Sequence, residues 1–91
     1  MSMLADVKIA LRITNSAYDV EITDLIAAAR QDLILSGVLP VKANSNTDAL
    51  IKRAIVTYCK THFGYDNPDA ERLMMAYTHL KMSMTLAGDY T

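Results

Sequence analysis

Val20-Glu-Ile-Thr-Asp-Leu-Ile-Ala-Ala-Ala-Arg-Gln-Asp-Leu-Ile-Leu-Ser36 places Ile22, Leu25, Ile26, Ala29 and Leu33 within one narrow arc when each residue advances about 100° around an axis. That spacing predicts an amphipathic helix from Val20 to Ser36. Its beginning is signalled by the turn-forming run Thr14-Asn-Ser-Ala-Tyr-Asp19, in which Asp19 or a neighbour can accept the first free amides. Its end is signalled by Gly37, where a left-handed cap is wanted, and by Pro40, which pushes Leu39 into extended geometry.

Working outward, the same reasoning predicts three further helices. Ser2 can cap a short one from Met3 to Arg12, on which Leu4, Val7 and Leu11 form one apolar face. Downstream, Val38 to Asn46 is the longest connection, apolar and then polar, and is the natural partner-facing loop. Asn46 or Thr47 can cap a helix from Asp48 to Phe63. Ile51, Ala54, Ile55, Tyr58, Cys59 and His62 form its wide stripe, with Lys52, Arg53 and Lys60 opposite and Gly64 at its end. Asn67-Pro68 supplies a cap with proline at the first helical position. Asp69 and Glu71 suit the positive end of the helix dipole, and the last helix runs from Pro68 to Ala87 before Gly88. The expectation is a small all-α single domain over residues 1–91, with four helices, the first short.

Composition narrows the function. With 91 residues the chain falls below the common domain size of about 100 to 150, so a second domain does not fit. A hydrophobic content of 52% with two Pro and three Gly argues for folding rather than disorder. Nine basic residues against ten acidic ones give a net charge of -1, and the basic residues are scattered. That lacks the footprint of a phosphate-binding face. One cysteine cannot form an intramolecular disulfide, which fits an intracellular setting. No leader-like apolar segment or membrane-length apolar run is visible, so a soluble, unprocessed chain without membrane contact is expected.

The residues that could carry chemistry do not assemble into a motif. Cys59 and His62 lie three apart, with His79 on the next helix and Asp66 between, but zinc sites use closely spaced pairs. A lone cysteine on an apolar stripe reads as a small buried hydrophobe. A helix-middle position offers Cys59 neither base nor oxyanion donors. The carboxylates are spread singly as a solvated face, with Asp48–Lys52 and Asp69–Arg72 at the spacing of helix surface pairs. Neither a phosphate loop nor a nucleophile elbow is present. A helix-turn-helix is the weaker reading, because the segment from Asp48 to Phe63 has few side chains that read base edges and carries an extensive apolar stripe. No enzyme, metal or cofactor is expected.

The last helix asks for a partner. Leu73, Tyr77, Leu80 and Met84 fall within about 60° of one another as an ordinary core stripe, while Met75, Met82 and Leu86 gather on the opposite side beside His79. A helix apolar on two sides is covered on two sides, either by the first helix of its own chain or by another chain. Methionine suits adaptable contacts of the second kind.

The chain resembles the small head-tail connector (adaptor) proteins of long-tailed phages and prophages, some described as DNA-packaging proteins. The resemblance is carried by Leu4-Ala-Asp-Val-Lys-Ile-Ala-Leu-Arg-Ile13, the polar turn ending in Asp19, Glu21-Ile-Thr-Asp-Leu-Ile-Ala-Ala-Ala-Arg30, Leu50-Ile-Lys-Arg-Ala-Ile-Val-Thr-Tyr-Cys59 and Phe63-Gly-Tyr-Asp-Asn-Pro68 before a long last helix. It spans nearly the whole chain. It implies a structural subunit that assembles with copies of itself as a ring, dodecameric in the virion, between the portal protein and the stopper or tail-completion protein. The ring would join head to tail and extend a channel through which DNA passes only as cargo. The implied location is the head-tail interface of the virion, and the host cytoplasm during assembly. In such proteins the chain end can reach the portal, so Leu86 and Tyr90 are expected to anchor there. Met75, Met82, Leu86 and Tyr90 are the candidate interface residues. The alternative is a DNA-binding or packaging accessory, a terminase-associated helical module, which salt-dependent DNA binding would favour.

Overall fold

A computed structural model describes residues 2–64 and 67–91, of which the helices are α1 (Met3–Leu11), α2 (Asp19–Leu35), α3 (Pro40–Ala43), α4 (Ala49–His62) and α5 (Ala70–Leu86). A 3-10 turn, Gly88–Tyr90, follows. No strand occurs among the described residues, so the all-α expectation holds. The four long segments read from periodicity are present within a few residues of their expected bounds, and α3 is an addition.

Local chemistry explains the ends. Ser2 accepts from Ala5 N at 3.2 Å to start α1. Arg12 ends it in the left-handed region (φ 61), with Ile13 N bonded to Lys8 O at 2.9 Å. Gly37 (φ 112) performs the same reversal after α2, where Val38 N reaches Leu33 O at 3.0 Å. Pro40, expected only to stop a helix, also begins one. Its fixed φ and missing amide suit the first position of the one-turn α3.

Three cap assignments are corrected. Asp19 lies inside the first turn of α2 and pairs with Lys8 at 2.8 Å instead of capping. Asp48 itself, and neither Asn46 nor Thr47, caps α4 by accepting from Leu50 N (3.0 Å) and Ile51 N (3.1 Å). Asn67 forms a turn with Asp69 N (3.0 Å) and donates its amide to Lys60 O (2.6 Å), so it closes the end of α4, while α5 starts only at Ala70.

The core is one cluster. Val7, Ile22, Ala29, Leu33, Ile51, Ala54, Ile55 and Cys59 are fully buried, with Val38, Tyr77 and Met84 nearly so. The buried positions of α2 are four of the five residues in its predicted arc, the fifth, Leu25, packing at the edge. Helix α4 is central, packing against α1, α2 and α5, and α1 lies on α2 and α4. Because α1 stays on that side, it does not cover the second apolar face of α5. That reading is excluded: Met75 and Met82 are exposed.

Candidate protein-interaction surface

Helix α5 is set by a polar joint with α2 as much as by its stripe. Tyr77, only 2% exposed, donates its hydroxyl to Asp32 Oδ2 at 2.6 Å, and Lys81 Nζ reaches the same oxygen at 3.0 Å. Burial pushes the Asp32 carboxyl up, but the donors Tyr77 and Lys81 outweigh it and hold it below the usual carboxylate range. Burial, reinforced by the Asp32 carboxylate, pushes the Tyr77 phenol up, so it remains a donor. Tyr58 meets the Tyr77 ring edge-on, with centroids 5.2 Å apart. With this joint Tyr77 and Met84 are buried and Leu80 packs against the core beside Met74, while Leu73, the first residue of the expected stripe, is only partly buried and is replaced against the core by Met74.

The opposite side is therefore left outside. Met75 is 60% exposed, Met82 53% and Leu86 84%, and His79 is exposed between them. The row from Met75 to Leu86 steps by four, three and four residues, so all four side chains stay on one side of the helix. Between Met75 and Leu86 that side carries no carboxylate. Isolated apolar residues are ordinary on a surface, but a row at this spacing is the pattern used to seat another helix.

Tyr90, the fourth candidate, is placed differently. Its hydroxyl donates to both oxygens of Asp48 (2.9 and 3.0 Å), its carbonyl accepts from Leu39 N (2.8 Å), and Lys42 Nζ stands 5.5 Å from its ring centre. The tail thus lies across the start of α3 and α4. Burial pushes the Asp48 carboxyl up, yet bonds from Ile51 N, the Tyr90 hydroxyl and Leu50 N bring it below the ordinary range. Burial and the Asp48 bond push the Tyr90 phenol up.

The connection before α4, expected as a partner-facing loop, is tied down by a residue that periodicity alone does not flag. Arg30 donates to Ala43 O (2.8 Å), Ser45 O (3.0 Å) and Asn46 Oδ1 (2.6 Å). Three carboxylates expected to be merely solvated have partners of their own. Asp6 meets Lys52 at 3.3 Å, so the expected Asp48–Lys52 pair is replaced, and Asp32 and Asp48 bond as described. The expected Asp69–Arg72 pair forms at 3.4 Å.

Cys59, His62 and His79 do not form a reactive or metal-binding group. Cys59 is fully buried, and burial pushes its thiol up to about 12, far from a reactive thiolate. His62 is exposed at the end of α4, its ring tilted 46° to that of Tyr58 with centroids 4.4 Å apart, while His79 lies on the outer side of α5. Asp66 lies outside the described residues. No group of three metal-binding side chains occurs among the described residues. A cleft of about 310 Å³ is lined, among the described residues, by Tyr18, Glu21, Phe63 and Gly64.

A model of the phage connector protein family matches residues 3–91. The chain belongs to that family. The match runs across every helix described above and includes the uncovered row of α5 and the folded-back tail. No match is found among curated proteins or solved structures. No helix of the described residues is long and apolar enough to cross a membrane.

Proposed function

We propose that this connector chain is a structural subunit of the head-tail joint of a tailed phage. It assembles as a ring between the portal and the stopper or tail-completion proteins, continues the DNA channel, and turns over no substrate. The observation that carries the reading is the family match over residues 3–91, joined to an apolar row on α5 that its own chain leaves bare. A ring made of head-to-tail contacts needs two different complementary patches on each subunit. Met75, Met82 and Leu86 supply one of them. A net charge of -1 suits a passage through which DNA slides, since a strongly basic lining would retain it.

The test is electron microscopy of particles produced without this gene and with the gene restored. Separate filled heads and complete tails in the first, and joined virions in the second, are expected. Normal virions without the gene would refute the proposal.

A further inference from the structure

We propose that the C-terminal tail, Gly88–Thr91, is exchanged between copies of this chain, the Tyr90 of one copy occupying the α3/α4 groove of the next. The proposal rests on the reading that copies of the chain meet in an assembly. Its basis is that tail and groove are a matched pair of different surfaces. The groove contributes the Leu39 amide, the Lys42 ammonium and the Asp48 carboxylate, and the tail contributes the Tyr90 carbonyl, ring and hydroxyl, in the same order. Two such unlike patches are what a head-to-tail ring contact requires.

The join between tail and body is a single extended residue, Ala87 (φ -89, ψ 127), after which the chain turns back on its own groove. Beyond that joint, four residues span at most ~14 Å when extended, enough to cross to a groove held against the same end of the molecule. Exchange keeps the hydrogen bonds already seen within one chain, so it needs no new chemistry and loses only the freedom of the associating copies. The attachment in cis is light. Tyr90 is only partly buried, its neighbours Asp89 and Thr91 are exposed, and no ion pair with another described residue holds the segment. Segments held by so few buried contacts open locally long before the fold does.

The surroundings of the groove also suit a second copy. Leu39, Val41 and Leu50 are exposed on the elements that form it, and Leu86 is exposed immediately before the joint. A neighbour that inserts its tail brings its own Leu86 to this apolar rim, and rim and residue leave water together.

The test uses two full-length variants, Leu39→Cys and Thr91→Cys, one of them enlarged by a tag. The Leu39 amide lies 2.8 Å from the Tyr90 carbonyl, so position 39 and the residue after Tyr90 are close in space whichever chain supplies the tail. Cys59 is buried and protonated and stays silent. Mixed at high concentration and oxidised, the two variants are expected to give a mixed disulfide dimer in excess of either homodimer. The double variant, oxidised at low dilution-limited concentration, closes within one chain and serves as a locked form. In a lysate of heads and tails lacking the connector, reduced double variant is expected to restore joining and the locked form to lose it. A locked form that joins particles as well as the reduced one, or no excess of mixed dimer, overturns tail exchange and leaves the connector reading standing. Failure of the wild-type chain itself to restore joining counts against the connector reading, while the mixed-dimer yield still decides exchange.

Discussion

Replacing Asp48 tests two roles at once. Its Oδ1 accepts from Leu50 N and Ile51 N to cap α4, and both oxygens accept from the Tyr90 hydroxyl. Asp48→Ala frees two amides at the helix start, at a cost of roughly 1 kcal/mol. It also strips Tyr90 of a charged acceptor, and because that phenol is only half-buried and can turn to water the loss is about 1 kcal/mol. The sum of roughly 2 kcal/mol corresponds to a fall in Tm of roughly 10 °C for a domain of this size. Urea unfolding followed by far-UV circular dichroism reads the change, and a cycle with Tyr90→Phe isolates the tail's share. Tyr90→Phe is expected to cost about 1 kcal/mol in the parent chain and less than half of that in the Asp48→Ala background. An Asp48→Ala chain within about 0.5 kcal/mol of the parent would refute the cap and the clasp together. Full additivity of the two changes would refute the coupling alone.

Met82→Glu, on the bare side of α5, is expected to leave stability within about 0.5 kcal/mol by urea unfolding yet to abolish head-tail joining in the complementation assay. Asp32 and Asp48 both titrate below the ordinary range when folded, so their stabilisation is complete above the unfolded pKa of about 4 and drains away as pH falls through the folded values. Tm measured from neutral to acid pH should therefore drop steeply below that point, and less steeply in Asp48→Asn. Cys59, its thiol pushed up to about 12 and sealed in the core, should react with a disulfide reagent only as the chain unfolds, so that labelling tracks the urea transition. Arg12 holds φ 61 at the end of α1, and Arg12→Gly should raise stability by about 0.5 kcal/mol or more in the same urea assay, through relief of left-handed strain.

Periodicity alone determined the helices and most of the core. Ile22, Ile26, Ala29 and Leu33 in α2, and Ile51, Ala54, Ile55 and Cys59 in α4, had to share a face because apolar side chains leave water together and the helix repeat lines them up. The same arithmetic found the second apolar side of α5. It could not say whether α1 covers that side, because the answer depends on where α1 docks, and α1 lies on α2 and α4. The short-range cap rules misassigned Asp19, Asp48 and Asn67, since several neighbouring polar residues can each satisfy a free amide and packing selects among them. A closer reading of Asp48, two and three residues before the amides it caps, could have named it from sequence. Nothing local announces that Asp32 bonds Tyr77 and Lys81, that Arg30 ties the carbonyls before α4, or that Tyr90 reaches Asp48 across 42 residues. Those bonds join residues far apart in the chain, and a partner that proximity in space alone supplies exists only once the helices have packed.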